Sequence, residues 1–221
     1  MIELPFQAAL FDLDGVVVDT EPQYSVFWGG VCREYHPDQP GLENRIKGQT
    51  LDQIFDANFE SPASRADILK RLNIFEAQME YAYIKGFEHA MNWLRENGIY
   101  TALVTSSNIP KMTCVYKAHP EFKQMFDIVL TSEDFTQSKP HPECYLKAAT
   151  KLGVAPAKCL VFEDSFNGLK SGRAASMPVV GLATTNPASE IASLCDVVMD
   201  DFSHFDETVC LLALDHFKKR S

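Results

Sequence analysis

The chain of 221 residues has no apolar run long enough to span a membrane, and it has no internal repeat or low-complexity segment. Its first residues, MIELPFQ, lack the basic start and apolar stretch of a signal peptide. The net charge of -10 disfavours nucleic acid and anionic membranes as partners. We therefore expect a cytoplasmic protein, monomeric or weakly oligomeric, that binds neither nucleic acid nor a membrane.

The six cysteines form no CxxC pair, and none has a histidine at zinc-site spacing. This pattern predicts reduced thiols, mostly buried as small hydrophobic side chains, as is usual in the cytoplasm. A redox or structural-zinc role is the alternative.

Residues 8–20, AALFDLDGVVVDT, begin with an apolar run typical of a buried strand. Because side chains i and i+2 share a strand face, Asp12 and Asp14 should start on the same side, where Gly15 permits a sharp turn. Two close carboxylates repel each other unless a cation or a shared proton intervenes, and Mg²⁺ is the natural cation for oxygen ligands. Asp and Gly after an apolar run are also ordinary turn residues, so this motif alone favours a turn.

The rest of the chain divides into a helical stretch and an alternating α/β stretch. Residues 17–87 are predicted to be mainly helical and to form a small inserted domain, with one helix over 50–60 and another over 61–85. From residue 88 onwards strands alternate with helices, which predicts an α/β fold with a doubly wound parallel sheet. The core domain is then 1–16 with 88–221. The predicted strands after residue 88 are 100–104, 126–130, 159–162, 178–182 and 197–199.

Three further stretches place polar side chains where ligands of such sheets bind, beyond the carboxyl ends of the strands. Thr105 and Ser106 in LVTSSN can bind an anion or cap a helix. Lys139 in SKPHPECYL precedes a proline-fixed helix start and, alone, would be a solvated lysine. Glu163 and Asp164 in LVFEDSFNG can be a helix cap or an acidic site. Each stretch alone favours its structural role.

In this order and spacing, the four motifs resemble those of the haloacid dehalogenase superfamily, in its phosphatase and phosphomutase branch. The resemblance covers essentially the whole chain. It implies a Rossmann-like core with a helical cap inserted after the first motif, Mg²⁺ as the cofactor and a small phosphorylated metabolite as the substrate.

The resemblance also implies a role for each matching residue. Asp12 is the expected nucleophile, which forms an aspartyl-phosphate. Asp14 is the expected general acid and base. Thr105 and Lys139 would hold the transferred phosphate, and Ser106 would add a backbone donor.

The metal site that the resemblance implies is built from three positions. Asp12, the backbone carbonyl of Asp14 and the side chain of Asp164 would bind Mg²⁺ directly. Glu163 matches a position near the metal, behind these direct ligands.

Three functions remain open at this point, and a phosphatase acting on a sugar phosphate is favoured. A mutase resembling β-phosphoglucomutase is the alternative, because Lys47 opens a KGQT loop similar to the mutase loop and is a candidate substrate ligand. The arginine of that loop is replaced by Leu51, and a histidine of the mutases by Tyr24. A non-catalytic phosphometabolite-binding protein is the third candidate, and the intact acidic and lysine motifs disfavour it.

Overall fold

The computed structural model describes residues 4–220, and in this part of the chain a six-stranded parallel sheet forms the centre. The sheet order is β3-β2-β1-β4-β5-β6, with every neighbouring pair parallel. This is the doubly wound order of α/β proteins, so the predicted fold class is confirmed. The strands are β1 (Ala8–Phe11), β2 (Tyr100–Val104), β3 (Ile128–Leu130), β4 (Cys159–Glu163), β5 (Val179–Leu182) and β6 (Val197–Met199).

The central strand β1 is buried along its whole length, because helices cover both faces of the sheet. Its side chains alternate between the two hydrophobic layers. Ala9 and Phe11 pack in one layer, whereas Ala8 and Leu10 pack in the other. The Phe11 ring stacks on Phe162 of β4 with a centroid distance of 4.7 Å, which ties together the two strands that carry acidic motifs.

Ten α-helices are seen in the described residues. Three begin with a proline in their first turn, where the missing N–H group costs nothing. Within residues 4–220, every helix is too short or too polar to cross a bilayer. The helices are α1 (Glu21–Tyr35), α2 (Leu42–Arg45), α3 (Leu51–Asn58), α4 (Pro62–Glu76), α5 (Phe87–Glu96), α6 (Ile109–Ala118), α7 (Glu143–Leu152), α8 (Phe166–Ala174), α9 (Ala188–Ile191) and α10 (Glu207–Arg220).

Helices α1 to α4, residues 21–76, form the inserted helical segment, which has a hydrophobic cluster of its own. Trp28, Ile54 and Ile68 are among the buried residues of that cluster. The division of the chain into a core and a cap over 17–87 stays a prediction, although a separate apolar cluster is what it would require.

The predicted helix over 61–85 is too long, since α4 ends at Glu76. The helical period of the apolar residues continues past this point, but Tyr83 pairs with Val18 in an antiparallel bridge and Ile84 donates its backbone N–H to Val17 at 2.9 Å. These bonds to residues close to β1 replace the bonds of a further helical turn. The apolar residues after α4 are therefore apolar because they pack against the sheet, not because they continue the helix.

The cysteines agree with the expectation from their spacing. All six are free thiols; five are buried and Cys114 is partly exposed.

Gly86 and Gly98 flank α5 and offer a matched test of how closely the chain packs. Both have a positive φ, +82° and +70°, but a Cβ on Gly86 would lie 2.4 Å from the backbone of Phe202, whereas a Cβ on Gly98 would meet open space. We expect Gly98→Ala to lower the free energy of unfolding by about 1 kcal/mol, the cost of the left-handed conformation. Gly86→Ala should cost about 2 kcal/mol more, from overpacking. Urea unfolding of both variants measures this, and equal losses would contradict the packing.

Candidate active site

The site lies where strands β1, β2 and β4 end. The sheet order reverses direction between β1 and β4, and such a switch point opens a crevice for ligands at the carboxyl ends of the strands. Phe11 pairs with both Leu103 and Phe162, so the residues that follow these three strands emerge at the same level. The backbone N–H of Asp12 also donates to Phe162 at 3.1 Å. This geometry brings Asp12, Thr105 and Asp164 together at one edge of the sheet, where they line one cavity.

A buried lysine holds the first aspartate from behind. Lys139 Nζ donates to Asp12 Oδ1 at 2.6 Å, to Glu163 Oε1 at 2.6 Å and to the backbone carbonyl of Val104 at 3.0 Å. Its side chain is 1% exposed, whereas that of Asp12 keeps 13%. The ammonium therefore reaches Asp12 from inside the protein and leaves the carboxylate facing the cavity.

Both oxygens of Glu163 are occupied by donors from the protein. Oε1 accepts from Lys139 and from the Tyr145 hydroxyl at 2.8 Å. Oε2 accepts from the backbone N–H groups of Asp164 and Ser165, at 3.1 and 3.3 Å, and from the Ser165 hydroxyl at 3.2 Å. Glu163 therefore supports Lys139 and the turn after β4.

The three buried carboxylates are not balanced by the single ammonium. Atoms of Asp12, Glu163 and Asp164 lie within 4.8 Å of one another. Burial raises the pKa of Asp12 to about 7 against the lowering effect of Lys139, and burial and Glu163 raise the pKa of Asp164 well above its usual range. Burial lowers the pKa of Lys139, but Asp12 and Glu163 more than reverse this and hold it charged. The surplus of negative charge makes this cluster able to bind a metal ion.

Asp164 is fixed by the loop that follows β5. The Thr185 hydroxyl donates to Asp164 Oδ2, and the Asn186 side chain donates to the Asp164 backbone carbonyl at 3.0 Å. On the other side, Gly15 approaches so closely that a Cβ there would lie 2.1 Å from Asp164 Oδ2. Gly15 thus brings the turn after Asp14 against the acidic pair, in addition to adopting a φ of +73°.

The second aspartate, Asp14, is held by three donors. Its Oδ1 accepts from the Thr20 hydroxyl, and its Oδ2 accepts from the Ser107 hydroxyl at 3.1 Å and from Lys111. Lys111 is itself nearly buried, with its ammonium 4.4 Å from the centre of the Tyr24 ring. This set of contacts joins the first motif to α6 and to the inserted helical segment.

The second motif lines the cavity and meets the inserted helical segment. Thr105 is 1% exposed, and its hydroxyl accepts from the backbone N–H of Ser107 at 3.0 Å. Ser106 donates its hydroxyl to the backbone carbonyl of Gly48 at 3.4 Å. The loop that contains Gly48 therefore lies directly over the strand ends.

Lys47 reaches the same cavity from above, where its ammonium lies 3.4 Å from Glu21 Oε2. All but one of the predicted site residues line this cavity, and Glu163 is the exception. Their roles remain predictions. The predicted residues on the cavity wall are Asp12, Asp14, Lys47, Thr105, Ser106, Lys139 and Asp164.

Several residues of the site were not predicted from the sequence. Ser107 and Lys111 are four residues apart, one helical turn, and that spacing is a signal that could have paired them. Thr185 follows the end of β5, so the rule that found Thr105 applies to it as well. Tyr145 gives no local signal, because only the fold brings its hydroxyl to Glu163.

Comparison with known proteins gives phosphatases among the relatives. Hexitol phosphatase B of Escherichia coli (strain K12) is 28% identical over 186 residues, which cover 77% of this chain and 80% of that protein. A phosphorylated carbohydrates phosphatase of Thermotoga maritima is 29% identical over 180 residues, 77% of this chain and 82% of that protein. The crystal structure of β-phosphoglucomutase from Clostridium difficile has a TM-score of 0.78 and 20% identity, covering 97% of this chain and all of that one, a likeness of fold alone.

Residues 6–176 match the family model for haloacid dehalogenase-like hydrolases. The matched stretch includes the aspartates after β1, the lysine before α7 and Asp164 after β4, which all line the cavity, and it includes Glu163 behind them at the end of β4. The predicted family resemblance is thereby confirmed. The prediction of a phosphoric monoester hydrolase agrees with the curated relatives, both named as phosphatases. The protein is therefore a member of the haloacid dehalogenase-like hydrolase family.

Proposed function

We propose that the chain is a Mg²⁺-dependent phosphatase that hydrolyses a small sugar phosphate through an aspartyl-phosphate on Asp12. The observation that carries this proposal is the contact of Asp12 with Lys139, a carboxylate that faces the cavity and is held at 2.6 Å by a buried ammonium. The two relatives named for hexitol and carbohydrate phosphates support the substrate class.

Phosphoryl transfer depends mainly on positioning and on compensation of charge. The bond to Lys139 restricts rotation of the Asp12 side chain, and Lys139 is restrained in turn by Glu163 and the carbonyl of Val104. One Asp12 oxygen is therefore held by the lysine while the other attacks the phosphorus atom. Attack by a carboxylate divides the hydrolysis into two easier steps, formation and hydrolysis of an acyl phosphate.

Asp14 is the proposed general acid and base. It gives a proton to the departing oxygen and takes one from the water that attacks the acyl phosphate, a contribution of about 10²–10⁴-fold. Thr20 donates to its Oδ1 and Ser107 donates to its Oδ2, which restrains the carboxylate. Thr105 and the backbone N–H of Ser106 bind the phosphoryl oxygens at the end of β2.

The side chains of Asp12 and Asp164 and the backbone carbonyl of Asp14 would hold the metal ion. Glu163 takes no direct part because both of its oxygens already accept from protein donors. The surplus charge of the three buried carboxylates supports this assignment, together with the raised pKa of Asp164. When bound, Mg²⁺ supplies the charge compensation that lets one anion attack another.

Phosphatase is preferred to mutase because the inserted helical segment has little to hold a second phosphate. Lys47 is paired with Glu21, and Leu51 lines the cavity at the position of the mutase arginine. Tyr24 donates its hydroxyl to Glu76 at 2.7 Å. Lys47 still supports a mutase as the alternative function. A non-catalytic binding protein is disfavoured by the intact residues of the site.

The choice between phosphatase and mutase can be tested with β-glucose 1-phosphate and Mg²⁺, with and without β-glucose 1,6-bisphosphate. We expect release of inorganic phosphate that does not depend on the bisphosphate, because none of the described residues that line the cavity is an arginine that could hold and reorient a bisphosphorylated intermediate. Free phosphate and glucose 6-phosphate are both measured. Efficient bisphosphate-dependent formation of glucose 6-phosphate, with little free phosphate, would favour the mutase.

The metal assignment predicts that EDTA abolishes activity and that Asp164→Asn raises the Mg²⁺ concentration for half-maximal activity about tenfold or more. The amide keeps the bond from Thr185 but removes one charge from the cluster. Calorimetric titration with Mg²⁺ measures the affinity without turnover. Asp38→Asn, an exposed aspartate on the inserted helical segment, is the control and should behave as the wild type. Unchanged Mg²⁺ affinity in Asp164→Asn would remove this residue from the site.

A further inference from the structure

The roof of the cavity is acidic. The inserted helical segment contributes Glu21 from the start of α1, Glu43 from α2 and Glu76 from the end of α4. These side chains line the same cavity as Asp14, the proposed donor of a proton to the leaving group. We call these three side chains, Glu21, Glu43 and Glu76, the roof of the cavity. The roof would contact the alcohol part of a phosphate ester bound at Asp12 and so select among substrates.

The two lysines that line this side are both matched by carboxylates. Lys111 bonds to Asp14 and has 5% of its side chain exposed. Lys47 pairs with Glu21 at 3.4 Å. Neither lysine offers an uncompensated charge to a second anionic group on the substrate, and Glu43 and Glu76 add further negative charge.

Glu21 differs from Glu76 in its hydrogen bonds. Glu76 accepts from Tyr24 at 2.7 Å. The Oε2 atom of Glu21 is buried and accepts no hydrogen bond from the described residues, since the Lys47 ammonium beside it is outside hydrogen-bond geometry. Leaving such an acceptor without a hydrogen bond costs about 1–3 kcal/mol, so a ligand in the cavity that Glu21 lines is favoured when it donates to this carboxylate.

Three kinds of chemical group on the leaving alcohol can be compared for their interaction with the Glu21 carboxylate. A carboxylate or a second phosphate has no proton to donate at neutral pH and would be repelled by the acidic roof. An ammonium would be repelled by Lys47, which already lies beside the same atom. A hydroxyl donates without adding charge, and Trp28 supplies an aromatic wall for the carbon backbone of a polyol.

We infer that Glu21 is a specificity residue that accepts a hydrogen bond from a hydroxyl of the leaving alcohol, and that the cavity selects phosphate esters of neutral polyhydroxy compounds over esters that carry a second anionic group. This inference rests on the proposed phosphatase function and narrows its substrate class. Neutral and acidic substrates of equal length therefore test the hydrogen bonding and the charge of the roof side chains together.

The test uses matched esters that differ only by a CH₂OH group in place of a carboxylate. Glycerol 3-phosphate is compared with 3-phosphoglycerate, and sorbitol 6-phosphate with 6-phosphogluconate, with Mg²⁺ and the wild-type enzyme. We expect kcat/KM to be about tenfold or more higher for the polyol member of at least one pair, because the acid loses a donor and gains repulsion. p-Nitrophenyl phosphate, which has no hydroxyl group in its leaving group, reports phosphoryl transfer itself.

Glu21→Gln keeps the shape of the side chain, removes its charge and releases Lys47. We expect the polyol-to-acid ratio of kcat/KM to fall about tenfold, mainly through KM, because the freed ammonium now attracts the acid. Glu60→Gln, an exposed change on the inserted helical segment outside the cavity, is the matched control and should keep the wild-type ratio. A purely structural role for Glu21 would change both substrates equally and leave the ratio unmoved.

The outcomes separate the inference from the function on which it rests. Hydrolysis of p-nitrophenyl phosphate with no preference for the polyols, or an unchanged ratio in Glu21→Gln, would overturn the inference alone. No release of phosphate from any ester would contradict the phosphatase as well. The wild-type comparison tests the selection of neutral esters even if the Glu21→Gln protein does not fold.

Discussion

The site depends on one buried ammonium. Lys139 is held between Asp12 and Glu163 at 2.6 Å from each, with almost no exposure to water. A charge in such a position is stable only when it is paired and hydrogen-bonded, and removing one partner of a buried pair costs about 3–5 kcal/mol. Lys139 therefore needs both carboxylates to remain buried and charged, and Asp12 in turn is held with its carboxylate facing the cavity, as the proposed nucleophile requires.

Close packing behind the ammonium makes this arrangement rigid. Glu163 receives donors on both oxygens, including the Tyr145 hydroxyl, whose ring also lies 5.1 Å from the lysine ammonium. The first turn of α8 comes so near that a Cβ on Gly168 would lie 1.7 Å from Glu163 Oε1. A fully satisfied carboxylate in so small a space stays in place while the residues in front of it react. The side of the cluster that faces the cavity has the opposite property, a surplus of negative charge between Asp12 and Asp164.

Much of this arrangement follows from the sequence because it is set by strand ends. Asp12, Thr105 and Asp164 each follow the last residue of a strand, and parallel strands in register bring such positions to one edge. The sequence pattern fails where tertiary packing decides the local structure. The apolar period after Glu76 predicts more helix, yet Tyr83 pairs beside β1.

The remaining site residues depend on long-range contacts that local patterns do not contain. Tyr145 and Lys111 become part of the site only when their helices dock, and the pairing of Lys47 with Glu21 depends on how the inserted helical segment lies over the strands. That segment lines the part of the cavity that the proposed leaving group would occupy, so the proposed chemistry at Asp12 is easier to predict from sequence than the substrate. The difference has a physical cause. The ends of the strands determine where the charged cluster lies, whereas the packing of the helices determines the shape and charge of the roof above it.

The proposed reaction requires that Asp12 becomes covalently phosphorylated during turnover. The most direct measurement mixes enzyme, Mg²⁺ and excess phosphate ester, stops the reaction in acid during steady turnover, and locates the phosphoryl group by mass spectrometry of the digested protein. The account predicts a phosphoryl group on Asp12, retained in Asp19→Asn, an exposed change close in the chain, and absent in Asp12→Asn together with turnover. A phosphoryl group on another residue, or an Asp12→Asn enzyme that turns over within about tenfold of the wild type, would contradict it.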